Sequence, residues 1–250
     1  MWRGFRTAHP GTRAGRYLLI WKKSSAFWPD SSLSGTGPYS GHRRRANRQE
    51  FSKMTLAIIG TGNMAQGLAT VFSTTGNAVV FGSRQPSDTA VSIADAVAQA
   101  DIVFLAVPYD AAADVVKAAD GFVGKIVVDL TNPMKADFSG LAIGFSTSAA
   151  EEIARLAPQA KVVKGFNTLF ASVLQNRGQV AGTPATVLLA GDDTDAVAQV
   201  AALVNAAGLK AIVAGPLAAA RNLEAVAALN IGLGYGQGKG TDIAPTWVGI

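Results

Sequence analysis

From Thr55 onward, short apolar runs rich in β-branched residues alternate with stretches of small residues that follow a helical period. The runs are LAIIG (56–60), AVVFGS (78–83), DIVFLAVP (101–108), KIVVDLTNP (125–133), KVVKGFNT (161–168), TVLLAG (186–191) and KAIVAG (210–215). They are continuous rather than alternating, the pattern of parallel strands covered on both faces. Between them, Met64, Leu68, Val71 and Phe72 place one apolar stripe on a first helix. Ser148 followed by Glu151 forms a capping box that predicts a helix over 149–156. Repeated strand–helix alternation predicts an α/β fold with a doubly wound parallel sheet, a single domain over 54–250. The end of the chain reads as a terminal helix with a glycine-rich tail. The Ala-rich stretch 218–236 has a small-residue face suited to a homodimer contact or to the last layer on the sheet.

Residues 1–53 show no such period. They are rich in Ser, Gly and Arg, and hold 11 Lys and Arg against two acids, Asp30 and Glu50. A basic, disordered leader is the expectation. Three readings of it stand open: an upstream start ahead of a true start at Met54, a transit peptide, or a basic interaction tail. The whole chain carries 22 Lys and Arg against 17 acids, a net charge of +5. That excess resides in the leader, so no nucleic-acid partner is inferred for the rest. No apolar run reaches the roughly 18–20 residues of a membrane span, so no membrane partner is expected and the location expected is cytoplasmic.

The residue inventory narrows the chemistry further. The chain has no Cys, and both histidines, His9 and His42, lie in the leader. Disulfides, cysteine nucleophiles, imidazole acid–base catalysis and most zinc chemistry are excluded from the domain, and no metal site is expected. An enzyme built this way must need little proton movement, or use Lys, Tyr or carboxylates.

GTGNMA places Gly60, Gly62 and Ala65 as G-x-G-x-x-A between a predicted strand and a predicted helix. The first glycine permits a tight turn and the second lets backbone approach a pyrophosphate. The small third residue lets helix and strand pack closely, with the helix N-terminus facing the anion. This is the context that the dinucleotide-binding Rossmann fingerprint requires. About 20 residues further on, an acid would bind the ribose hydroxyls of NAD. Here Gly82, Ser83 and Arg84 stand instead, a hydroxyl and a guanidinium suited to the 2′-phosphate of NADP, with Asp88 nearby as a mild counter-signal.

AVPYD (106–110) ends the third run in Pro108, either pressed on the cofactor or simply ending the strand. At the same end of the next two runs stand Thr131, Asn132, Asn167 and Thr168, uncharged hydrogen-bonding groups suited to a nicotinamide amide or a flat heterocycle. Asn and Thr are also ordinary turn formers.

IIGTGNMAQGLA, VVFGSR, FLAVPY, IVVDLTNP, KVVKGFNT and AGPLAAARNLE occur in that order. Together they resemble the NADPH-dependent reductases of the 8-hydroxy-5-deazaflavin coenzyme, over essentially all of 55–250. The chain is similar as well to the reductase domain of STEAP metalloreductases, which passes hydride from NADPH to a flavin. The resemblance implies contacts of Thr61, Gly62, Asn63 and Met64 with pyrophosphate and of Ser83 and Arg84 with the 2′-phosphate. It implies Pro108 and the Asn167 region beside the nicotinamide. Two departures stand out. Only QPSDT (85–89) separates the second-strand SR from AVSIADAVAQA, a shortened crossover that would weaken the adenosine wall. The tail GYGQGKGTDIAPTWVGI resembles a bacterial branch of the family, which leaves the electron acceptor open between deazaflavin and another flavin-like group.

The expected function is hydride transfer between NADPH and a small-molecule redox acceptor, a flavin or 5-deazaflavin, which needs positioning more than acid–base groups. No catalytic residue is singled out. One rival is a pyrroline-5-carboxylate reductase-like imine reductase, whose opening GNMA is similar but which needs a long C-terminal dimerisation domain. The other is a non-enzymatic NADP-sensing protein.

Overall fold

The computed structural model describes residues 53–249. All of the basic leader but Lys53 lies outside them. The strands are β1 (Thr55–Ile59), β2 (Ala78–Ser83), β3 (Val91–Ser92), β4 (Ile102–Leu105), β5 (Ile126–Asp129), β6 (Lys161–Lys164), β7 (Gln179–Val180), β8 (Thr183–Pro184), β9 (Thr186–Gly191) and β10 (Lys210–Gly215). The α-helices are α1 (Asn63–Phe72), α2 (Ile93–Gln99), α3 (Ala112–Ala118), α4 (Ala149–Leu156), α5 (Ala171–Gln175), α6 (Thr194–Ala206) and α7 (Ala220–Ile231). Eight strands form one sheet in the order β10-β9-β6-β5-β4-β1-β2-β3, and β7 and β8 form a separate hairpin.

The first six strands are parallel, with the winding direction reversing between β1 and β4. The last two correct the all-parallel expectation. β9 pairs antiparallel to β6, through Val163 with Gly191 and Lys164 with Ala190, and β10 then runs parallel to β9. A parallel neighbour needs a crossover that carries the chain back to the far end of the sheet. Between β6 and β9 the only helix is α5, of five residues and so about 7.5 Å long, and the β7–β8 hairpin follows it. The chain therefore re-enters the sheet from the same end.

Continuous apolar runs have a simple cause in this sheet. Leu56 and Ile58 enter one core with Phe72, Phe104 and Val128, while Ala57 and Ile59 enter a second on the opposite face with Val103, Leu105 and Val127. Successive side chains point to opposite faces, and both faces are covered. Ser148 and Glu151 form the capping box as read: the Ser148 hydroxyl accepts the Glu151 N–H at 3.2 Å and donates to Glu151 Oε2 at 2.8 Å.

Three strands stop earlier than their apolar runs. β4 ends at Leu105, β5 at Asp129 and β6 at Lys164, so 106–108, 130–133 and 165–168 leave the sheet as loops at one edge. At Asp129 the side chain ends the ladder by accepting the Thr131 N–H at 2.9 Å. Beyond Lys164, Phe166 adopts φ +62 although it is fully buried. Its ring packs edge-on against Phe72 and Phe104, at centroid distances of 6.0 and 5.9 Å, and this packing holds a backbone conformation that L-residues avoid. The resulting turn carries Asn167 and Thr168 out of the strand.

Candidate functional site

The fingerprint turn is fixed on both sides. Gly60 N–H donates to the Gly82 carbonyl at 2.9 Å, and Ala106 N–H donates to the Ile59 carbonyl at 3.0 Å. Gly60 has φ +117, and a Cβ there would stand 2.4 Å from the Ala106 carbonyl oxygen. Only glycine lets β1 turn this tightly over the end of β4. Gly62 differs: at φ −76 it is the N-cap of α1, and a Cβ there would meet nothing within 4 Å. Among the described residues no side chain caps α1, and its first turn holds no acid. Gln66 N–H is the first to be taken by Gly62 O, leaving those of Asn63, Met64 and Ala65 without an intrahelical partner. Ala65 is fully buried, and behind it Gly67 abuts α5, where a Cβ would lie 2.7 Å from Leu174 Cβ. Small residues thus seat the helix, and its bare N-terminus faces a cradle fit for an anion.

A cleft of about 230 Å³ opens there, lined among others by Gly60, Thr61, Gly62, Ser83, Arg84 and Pro108. Arg84 is exposed at its rim, and the lining includes no carboxylate. Gly82 is closely packed, its missing Cβ replaced by Ile59 and Ala96. The short crossover does not leave the wall open. The 85–89 segment closes through the Ser87–Ala90 bridge, β3 extends the sheet edge, and Ile93 at the start of α2 lines the cleft. Pro108 stands three residues beyond β4 rather than ending it, and caps a 3-10 turn at Tyr109–Ala111. Burial, joined by the nearby carboxylates of Glu152, Glu224, Asp110 and Asp129, pushes the Tyr109 phenol above its ordinary pKa, so the hydroxyl stays protonated.

The other four predicted residues form a second group, outside that cleft. Asn132 Nδ2 donates to the Asn167 carbonyl at 2.8 Å, and Asn167 Nδ2 donates to Asn132 Oδ1 at 3.0 Å and to the Leu223 carbonyl at 3.1 Å. Thr131, Asn167 and Thr168 are buried, yet Thr131 Oγ1, Asn167 Oδ1 and Thr168 Oγ1 have no partner among the described residues. Buried polar groups normally find one, so three such atoms on two adjacent strand ends mark a place where a polar ligand belongs.

Beneath this group lies a cluster that the sequence reading passed over. Lys164 Nζ donates to Asp129 Oδ2 at 2.8 Å and to the Thr131 carbonyl at 2.5 Å, and pairs with Glu224 Oε1 at 2.8 Å. All three side chains are fully buried. Glu224 also accepts the N–H groups of Ala149 and Ala150, the first two of α4, at 3.1 and 3.4 Å. Burial pushes the Glu224 carboxyl above its ordinary pKa, against the pull of Lys164 and the Ala149 N–H. The available signal was a charge inside an otherwise apolar run: Asp129 in IVVDLTNP and Lys164 in KVVKGFNT.

A third feature is a cavity of about 550 Å³ between the 141–145 loop and α7, lined by Phe145, Arg221 and Asn222 among others. Arg221 is held in place by Glu151, with contacts of 2.9 and 2.6 Å.

A glycine turn closed over the reversal point of a parallel sheet, with a bare helix N-terminus beside it, defines a Rossmann-type dinucleotide-binding protein. Comparison with known proteins narrows the class. The family model "NADP oxidoreductase coenzyme F420-dependent" matches residues 55–133. The F420-dependent NADP reductase of Methanothermobacter thermautotrophicus is 31% identical over 208 residues, 72% of this chain and 89% of that protein. The metalloreductase STEAP3 of Rattus norvegicus is 35% identical over 180 residues, 68% of this chain. The chain spans only 36% of the length of that metalloreductase. A crystal structure of a protein from Arthrobacter sp. FB24 aligns with TM-score 0.70 at 28% identity, covering 78% of this chain and 99% of that one. The chain belongs to the F420-dependent NADP oxidoreductase family.

Among the described residues, no helix is long and apolar enough to cross a membrane.

Proposed function

We propose that this chain is an NADP(H)-dependent oxidoreductase that moves hydride between NADPH and a planar flavin or 5-deazaflavin acceptor. The observation that carries the reading is the cleft between β1, β2 and β4. It joins an uncapped helix N-terminus to Ser83 and Arg84 and has no carboxylate in its lining. Three backbone N–H groups would hold the pyrophosphate, with Gly62 leaving room for it. Ser83 and Arg84 would hold the 2′-phosphate, where an acid would have favoured NAD.

The unpartnered atoms of Thr131, Asn167 and Thr168 suit a carboxamide, which has both donors and an acceptor. NADP, when bound, supplies the hydride chemistry. The protein's share is to orient, to exclude water, and to hold the reacting faces together. Asn132 and Asn167 fix one another, so their free valences point one way without reorganisation. Pro108 lines the cleft from the β4 side. For the acceptor, the cavity beside Phe145 and Arg221 adjoins the turn of α7 whose Leu223 carbonyl holds Asn167. A homodimer through the 218–236 face is part of the same proposal, supported by the exposed Leu229 and Tyr235 there.

The test is to mix the protein with NADPH and, separately, FMN, FAD, riboflavin, a 5-deazaflavin and a ferric chelate, following absorbance at 340 nm. Turnover on a flavin or deazaflavin is expected. Tight NADPH binding without turnover on any acceptor leaves an NADP-sensing protein instead.

A further inference from the structure

The Asp129–Lys164–Glu224 cluster is costly to bury and makes none of the contacts assigned to the cofactor. Every polar atom in it is accounted for. The three protons of Lys164 go to Asp129, Glu224 and the Thr131 carbonyl. Asp129 Oδ1 accepts from Thr131 N–H, and Glu224 accepts from Ala149 and Ala150 N–H. The contacts of both carboxylates are thus donors only. Donors on every side of both groups suit two carboxylates sharing one lysine, by the geometry of their contacts. The two cations nearest in sequence are engaged elsewhere, Arg221 by Glu151 and Lys161 by Asp193. The N-terminus of α4 offsets only about half a charge.

From this balance we propose that the cluster holds uncompensated negative charge behind the nicotinamide site and favours NADP+, whose ring is cationic, over NADPH. The proposal rests on the cofactor reading given above. Loss of hydride, two electrons and a proton, to the flavin-type acceptor leaves the nicotinamide ring with one positive charge. A fixed negative charge behind that ring stabilises the product form. The wiring places it there. Thr131, bonded to Lys164 through its carbonyl, precedes Asn132, and Leu223, whose carbonyl holds Asn167, precedes Glu224. Tyr109, next to Pro108, feels both Glu224 and Asp129. Lys164 and Glu224 are therefore positioning residues that also set the local potential.

The test compares dissociation constants for NADPH, by its fluorescence, and for NADP+, by competition, in the wild-type protein and in Glu224→Gln. Wild type is expected to hold NADP+ at least as tightly as NADPH. Removing one buried charge is expected to raise the ratio of the NADP+ to the NADPH constant about three- to tenfold. A merely structural role would weaken both nucleotides together. Equal losses or an unchanged ratio in Glu224→Gln overturns the proposal, as does a wild-type protein that holds NADPH tenfold more tightly. Asp129→Asn gives the same readout should Glu224→Gln fail to fold. Failure of wild type to bind either nucleotide would defeat the cofactor reading itself, a different result from an unmoved ratio.

Discussion

Asn132 and Asn167 hold each other across the ends of two neighbouring strands, Nδ2 of the first on the carbonyl of the second at 2.8 Å and Nδ2 of the second on Oδ1 of the first at 3.0 Å. The exchange leaves Asn167 Oδ1 buried and free to accept. Asn167→Leu removes that acceptor and the tie to Leu223. Turnover of NADPH with its acceptor is expected to fall about 100-fold through lost orientation. The stability cost, read by urea unfolding, is expected to stay near 1–3 kcal/mol, since Asn132 Oδ1 and the Leu223 carbonyl lose their donor while Asn132 Nδ2 keeps the backbone carbonyl of residue 167.

Gly60 and Gly62 separate folding from binding. Gly60→Ala must place a methyl 2.4 Å from the Ala106 carbonyl at φ +117, and is expected to cost about 2–4 kcal/mol in chemical unfolding. Gly62→Ala has open space and an ordinary φ. Its stability should stay within about 0.5 kcal/mol of wild type. Its methyl fills the pyrophosphate cradle, so NADPH affinity is expected to drop about tenfold or more, some 1.4 kcal/mol. Wild-type affinity in Gly62→Ala would place the phosphates elsewhere.

Arg84→Asp puts a carboxylate where the 2′-phosphate is proposed to sit. The ratio of NADPH to NADH affinity is expected to fall about 100-fold, equal to some 2.7 kcal/mol. Arg84 is exposed, so the melting temperature should hardly move. An unchanged ratio would locate the adenosine end of the cofactor away from β2.

Lys164→Met leaves two buried carboxylates with no cation between them. The expected loss is about 3–5 kcal/mol, measured by denaturant unfolding. Combining it with Glu224→Gln should recover part of the loss, because fewer unpaired charges remain.

Acid sensitivity is expected at the link between α4 and α7. The Arg221 guanidinium holds the Glu151 carboxyl below its ordinary value, with a further hydrogen bond from Ser148. A depressed folded pKa means that this stabilisation is present above the ordinary glutamate value, about 4.3, and lost as pH falls through the folded value. Thermal melts from pH 6 down to 3 should show the fall, and Arg221→Gln should flatten it.

The sequence by itself determined much of this protein. Continuous apolar runs such as LAIIG and KIVVD require strands with two covered faces, and the alternating assignment of Leu56 and Ile58 against Ala57 and Ile59 bears this out. The Gly60 turn and the start of α1 at Gly62 were legible because they are local needs, met within one strand–turn–helix. What lies far apart along the chain was decided only by the tertiary structure. The antiparallel entry of β9 follows from a helix too short to span the sheet, and no run of residues announces it. The meeting of Asp129, Lys164 and Glu224 joins two strand ends to a helix 60 residues downstream of the nearer one. A lone lysine in an apolar run does not disclose its partners, because a buried charge is tolerated only where folding delivers its counter-charges to the same point.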